Sequence, residues 1–177
     1  MTSNASIDHN VLAHDKVARK YESLHTEIYN RVEQDRLRSA IEDAVRRLPN
    51  SGSAPLVLDY GCGSGNLTRK FVDAGCKVIA SDVSPEFLKM IRREFPSESV
   101  STLRLNGEDL REVESDSVDM VGTYSVLHHV PDYLKIVREF ARVVKPGGIV
   151  FIDHEKSSVY WDRLSDFRLA YADMLPR

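Results

Sequence analysis

The sequence predicts a doubly wound α/β sheet preceded by a helical extension, on three observations. Short apolar runs alternate with amphipathic stretches of helical length from residue 56 onward. A glycine-rich turn, Gly61-Cys62-Gly63-Ser64-Gly65, follows the first run and leads straight into a helical pattern. Acidic residues close three of the runs, at Asp59, Asp82 and Asp153. Strands separated by helices pair in parallel through right-handed crossovers. Near-continuous apolar runs suit a sheet covered on both faces.

Each element follows from its own residues. Residues 1–10 are polar and read as disordered. From Asp15, Val17, Tyr21, Leu24 and Ile28 recur at helical steps, and a second helix carries Leu37, Ile41, Val45 and Leu48 on one face. Pro49-Asn50-Ser51-Gly52-Ser53 breaks the pattern. Strand one covers 56–59, and a helix follows from Asn66 to Ala74, with Leu67, Phe71 and Ala74 inward and Gly75 as its stop. Strand two covers 77–82. Ser84 then caps a helix with Pro85 in its first turn and Phe87, Met90, Ile91 and Phe95 along it. A weaker strand three spans 101–105, and strand four spans 118–123. The next helix starts near Asp132 and shows Leu134, Val137, Phe140, Ala141 and Val144. Pro146-Gly147-Gly148 turns the chain into strand five, 149–153, and a last helix over about 158–174 presents Trp161, Leu164, Phe167 and Tyr171.

Bulk properties narrow the function classes. The 177 residues suit one domain, with 42% hydrophobic and 29% charged residues typical of a globular chain. A net charge of −3 gives no broad attraction to nucleic acid. No apolar run approaches the roughly 18 residues of a membrane span. Cys62 and Cys76 form neither a disulfide framework nor a metal-ligand spacing. A cytoplasmic protein without a metal is the expectation.

Ligands of doubly wound sheets sit outside the C-terminal ends of the strands. The residues there are Asp59 and the glycines, Asp82, the run 106–109, the run 125–129, and Asp153 with His154 and Glu155. Asp82 lies about twenty residues past the glycines, where a carboxylate either caps the strand end or accepts both ribose hydroxyls. Asp59 either fixes the loop's N–H groups or faces a cationic ligand. The glycine spacing is G-x-G-x-G, not the G-x-G-x-x-G of a dinucleotide site, and the Lys-Ser/Thr of a P-loop is missing.

These residues resemble the class I S-adenosylmethionine-dependent methyltransferases, of the small-molecule type with a Leu-His-His signature. Val57-Leu58-Asp59-Tyr60-Gly61-Cys62-Gly63-Ser64-Gly65 is similar to the family's first motif, and Val78 to Glu86 to its acidic second-strand motif. Ser117 to Val121 with Val126-Leu127-His128-His129-Val130 resembles the fourth-strand region, and Arg142 to Gly148 the turn before strand five. The resemblance implies a mainly parallel Rossmann-like sheet, with 1–52 as a helical extension or lid and 53–177 as the cofactor-binding core. It implies S-adenosylmethionine as cofactor and S-adenosylhomocysteine as product. Asp59 and Gly61 resemble the positions holding the methionine part, Gly63 and Gly65 those approached by ribose and methionyl groups. Asp82 resembles the ribose acid and Val83 the residue packing on adenine. Asn106, or else Asp109, would accept from the adenine amine, and Tyr21 resembles the lid tyrosine near the methionine carboxylate. The implied cofactor set is Tyr21, Asp59, Gly61, Cys62, Gly63, Gly65, Asp82, Val83, Asn106, Gly107, Glu108 and Ser125.

The implied reaction is methyl transfer to an O, N or C nucleophile of a small molecule, with His128 and His129 as candidate bases. The absence of Asn-Pro-Pro-Tyr or Asp-Pro-Pro-Tyr after strand four argues against amino-methylation of nucleic acid bases. Family members add an antiparallel strand pair after the last helix. The chain ends at Arg177, so a truncated core with strand five as a bare edge is expected, covered by a second copy or a partner. Two other classes remain in view: a cofactor-binding scaffold without turnover, and a nicotinamide-dependent oxidoreductase, against which the glycine spacing counts.

Overall fold

The structure is a computed structural model that describes residues 25–155. Five parallel strands form one sheet: β1 (Leu56–Tyr60), β2 (Lys77–Asp82), β3 (Val100–Arg104), β4 (Val118–Tyr124) and β5 (Val144–Asp153), in the order β3-β2-β1-β4-β5. The order reverses between β1 and β4. That point, outside the strands' carboxyl ends, is where such a sheet opens a crevice.

Two apolar cores cover the two faces. One packs helix α1 (Arg31–Arg46) through Leu37 and Ile41, and helix α2 (Asn66–Asp73) through Leu67 and Phe71. Helix α3 (Pro85–Glu94) adds Leu88 and Ile91 to the same core. The other packs helix α4 (Tyr133–Val143) and the segment carrying Leu105, Leu110 and Val113. Phe71, Phe87 and Phe140 are fully buried. Burial of one such side chain contributes about 1.5–3 kcal/mol.

Helix starts follow the expected capping chemistry. Asn30, Ser84 and Asp132 accept from the N–H of Glu33, Phe87 and Lys135 at the starts of α1, α3 and α4. α2 has no side-chain cap; its N-cap is Gly65 in the left-handed region, φ 93°.

Three expectations are corrected. The inward face of α4 is Ile136, Phe140 and Val143, whereas Leu134 is 53% exposed and Ala141 is also exposed. Packing of Ile136, Phe140 and Val143 into one apolar core carries Leu134 to the outside. Strand β5 starts at Val144, not Ile149, because its pairing with β4 survives across an irregularity. Val118 pairs with Val144 and Met120 with Ile149, so Pro146-Gly147-Gly148 is looped out rather than ending the strand. Ile28 belongs to a turn before α1, not to a helix. The expected helices around Val17–Leu24 and 158–174 lie outside the described residues, as does the expected disorder of 1–10. Among the described residues no helix is long and apolar enough to cross a membrane.

Candidate active site

The turn after β1 is built from the backbone upward. Gly61 and Cys62 both donate their N–H to the Ser81 carbonyl, at 2.8 and 2.9 Å, which ties the loop to the end of β2. The glycines serve different ends. A Cβ on Gly61 would lie 2.5 Å from Val126 Cγ2, and a Cβ on Gly65 would lie 2.9 Å from Ile91 Cδ1. A Cβ on Gly63, with φ 50°, would meet no atom of the described residues within 4 Å. Packing therefore demands glycine at 61 and 65, and open space lies over 63, where a ligand can approach the main chain.

Two adjoining cavities share this loop. The larger is an open cleft of about 760 Å³, part of it open to solvent, lined by Tyr60, Gly61, Gly63, Asp82, Val83, Phe87, Leu105, Gly107, Tyr124, Ser125, Val126, His129, Val130 and Pro131. The smaller, about 360 Å³, is lined by Ile28, Tyr29, Asp59, Gly61, Cys62, Gly63, Ser64, Asn66, Leu67, Tyr124 and Ser125. The fold thus brings Asp59, Gly61, Cys62, Gly63, Asp82, Val83, Gly107, Ser125 and His129 onto one connected space. Gly65, Asn106, Glu108 and His128 line neither cavity, and Tyr21 lies outside the described residues.

The acids differ in environment. Asp82 accepts from Gly63 N–H at 3.0 Å through one oxygen and from Ser84 N–H at 2.8 Å through the other. The Asp82 carboxylate also lines the larger cavity. Asp59 is fully buried and accepts from the Thr68 hydroxyl at 2.5 Å. Burial, with the Asp82 carboxylate behind it, pushes the Asp59 carboxyl up to about 7 against the pull of that hydrogen bond. A cation brought into the smaller cavity would restore its ionised form. Burial also pushes the Cys62 thiol well up, so it is no nucleophile at neutral pH.

The amide of Asn106 is committed to its own turn. Its oxygen accepts from Glu108 N–H at 2.7 Å and Asp109 N–H at 3.0 Å, and its nitrogen donates to Asp109 at 2.8 Å. The expected acceptance from an adenine amine therefore finds that oxygen already doubly occupied. The alternative, Asp109, is held by Asn106 and Arg111, and the Arg111 guanidinium holds its carboxyl well below the usual range.

The loop after β4 depends on a residue that the sequence placed beyond strand five but gave no role. Glu155 accepts from the N–H groups of Val126 (2.7 Å), Leu127 (2.8 Å) and His128 (3.2 Å), and pairs with His128 Nδ1 at 2.8 Å. Burial acts to raise the Glu155 carboxyl, but His128 and these N–H groups hold it below its ordinary range. An ionised carboxylate only accepts, so His128 Nδ1 carries the proton. The His128 and His129 rings lie 4.1 Å apart, and His129 is the one that lines the larger cavity. Ser125, at φ 59°, is strained and is tied to β5 by its N–H on the Asp153 carbonyl at 3.1 Å. An acid two positions past a strand end, within reach of a loop's N–H groups, was the only signal the sequence held for Glu155.

A sheet with this switch point, a glycine turn after β1 and a strand-end acid on β2 define a Rossmann-like α/β domain. The chain belongs to the methyltransferase-domain family, whose model matches residues 58–152. It is 40% identical over 98 residues to the ubiquinone biosynthesis O-methyltransferase of Xanthomonas oryzae pv. oryzae strain PXO99A, covering 54% of this chain and 41% of that one. It is 36% identical over 114 residues to the protein of the same name from Xanthomonas axonopodis pv. citri strain 306, covering 63% and 47%. The match spans less than half the length of these curated relatives. A crystal structure of an S-adenosylmethionine-dependent methyltransferase from Mesorhizobium loti superposes with a TM-score of 0.53 at 29% identity, over 65% of this chain and 54% of that one.

Proposed function

We propose that this chain binds S-adenosylmethionine across the ends of β1, β2 and β4 and takes part in methyl transfer to a small-molecule nucleophile, most simply a hydroxyl. The observation that carries this reading is the connected cavity pair joined at Gly63, with Asp82 on one side and Asp59 on the other. The residues fit such a group. No described atom lies within 4 Å of where a Cβ on Gly63 would sit, Asp82 presents a carboxylate to the larger cavity for a ribose, and the buried Asp59 suits an ammonium. Val83 and Phe87 supply apolar walls for a base. The names of the curated relatives support an oxygen acceptor.

When bound, the sulfonium supplies an already activated methyl group, so the protein's main task is in-line placement of the acceptor. The strained Ser125 and the wall of Val126, His129, Val130 and Pro131 shape the space where the acceptor would lie. His129 stands where it can take the hydroxyl proton, while His128 is committed to Glu155. Calorimetry with S-adenosylhomocysteine and with NAD tests the cofactor; binding of NAD alone overturns the reading. Methyl transfer to a panel of phenols, amines and carbon acids then separates an enzyme from a cofactor-binding scaffold.

A further inference from the structure

The smaller cavity holds a polar atom that the preceding reading does not use. Asn66, the first residue of α2, is 8% exposed and lines this cavity. Its Nδ2 is buried and has no hydrogen-bond partner among the described residues. A buried donor left unmade costs about 1–3 kcal/mol, so an acceptor that fills the cavity gains from meeting it.

The orientation of that amide is fixed from α1. Lys70 donates from Nζ to Gln34 Oε1 at 2.7 Å. An ammonium has no acceptor, so the Gln34 oxygen must face Lys70 and its nitrogen must face the other way. Gln34 Nε2 then donates to the Ile28 carbonyl at 3.1 Å and to Asn66 Oδ1 at 3.0 Å, which uses both its hydrogens. The Asn66 oxygen is thereby held toward Gln34, and the nitrogen is left for an occupant of the cavity. The N-cap of α2 is Gly65, which offers no side chain to its first-turn N–H groups, and the Asp59 carboxylate takes the N–H of Thr68. Asp59, on the same cavity, supplies the opposite preference for a cation.

We propose that Asn66, oriented by Lys70 through Gln34, is the donor to the α-carboxylate of the cofactor's aminoacyl arm. The inference rests on the S-adenosylmethionine reading above and extends it to a residue and a relay. Asn66 is a binding residue; Gln34 and Lys70 are positioning residues. The relay also makes the helical extension part of cofactor recognition, because Gln34 belongs to α1.

The test compares two probes on the full 177-residue chain by calorimetry: S-adenosylhomocysteine, which carries the aminoacyl arm, and 5′-methylthioadenosine, which does not. N66A is expected to weaken S-adenosylhomocysteine about tenfold or more, in line with a hydrogen bond to a charged group, and to leave 5′-methylthioadenosine within about twofold. Q34E is the sharper variant. Its carboxylate still accepts from Lys70 but cannot donate to Asn66 Oδ1, so Asn66 turns its nitrogen to residue 34 and its oxygen to the cavity. Q34E should therefore weaken S-adenosylhomocysteine more than Q34A does, with 5′-methylthioadenosine again unchanged. Equal losses for both probes, or wild-type S-adenosylhomocysteine affinity in N66A or Q34E, overturn the relay and leave the cofactor reading standing. Failure of the wild-type chain to bind either probe overturns both.

Discussion

At the ends of β1 and β2 the backbone makes the site; at the ends of β4 and β5 side chains hold it in place. On the first side, Gly61 and Cys62 donate to the Ser81 carbonyl, and Gly63 and Ser84 donate to the Asp82 carboxylate, so a short loop is fixed through its own N–H groups by the end of β2. On the second, residues 125–130 follow a strained Ser125 and rest on one carboxylate, Glu155. A partly buried group joins β4 and β5 to α1: Arg36 donates to Glu33 at 2.6 Å and to Asp153 at 2.8 Å, and the Tyr124 hydroxyl donates to Glu33 at 2.8 Å. A loop fixed by main chain tolerates little change. A loop held by clamps can vary with its clamps, which suits the side that would meet the acceptor.

The largest expected effect tests the first side. Asp82→Ala removes the acid facing the larger cavity and frees Gly63, so S-adenosylhomocysteine affinity should fall at least about a hundredfold, roughly 3 kcal/mol. Unchanged affinity in calorimetry would remove Asp82 from the cofactor site. Next comes Gly61→Ala, whose Cβ would sit 2.5 Å from Val126 at φ 74°. Denaturant melts should show a loss of about 2–3 kcal/mol. Val126→Ala in the same chain should restore part of it; no restoration would mean the two sides do not meet there.

The pH dependence follows from Asp59, whose folded carboxyl sits near 7. Below that value it is protonated in the empty site, and an ammonium needs it ionised, so binding releases a proton. Affinity for S-adenosylhomocysteine should rise with pH by up to about tenfold per unit and level off above about 7. Asp59→Asn should flatten the curve; a wild-type curve already flat between pH 5 and 7 would exclude an ammonium contact.

Glu155→Gln probes the second side. A glutamine nitrogen meeting His128 Nδ1 forces the ring proton onto Nε2, visible in the nitrogen chemical shifts of His128. The effect on S-adenosylhomocysteine should stay within about threefold, while the acceptor's kcat/KM drops about tenfold, roughly 1.4 kcal/mol. The reverse pattern would move Glu155 to the cofactor side. Arg36→Ala should do least: its pairs are partly exposed, and a loss of about 0.5–1 kcal/mol in thermal melts is expected.

Much of the first side was legible in the sequence. The run 56–59, the glycine turn, Asp82 and the Ser84-Pro85 start are local signals, each tied to a backbone geometry that few residues satisfy. The inward face of α4 and the extent of β5 were not, because both depend on tertiary contacts: α4 buries Ile136, Phe140 and Val143 in one apolar core, and β5 keeps its register with β4 despite the Pro-Gly-Gly loop. The commitment of Asn106 to its own turn likewise needed the folded chain.

What the sequence determined by itself is the kind of protein: an alternating strand–helix order, a glycine-rich turn after the first strand, and acids at the strand ends. These follow from local conformational preference and periodicity, which act over a few residues. Tertiary structure alone decided which glycine meets packing and which meets open space. It also decided that His129 rather than His128 lines the cavity, that Glu155 fixes the β4 loop, and that Lys70 and Gln34 set the face Asn66 presents. Each of those outcomes depends on groups distant in sequence meeting within hydrogen-bond or contact distance, and local preference carries no information about that.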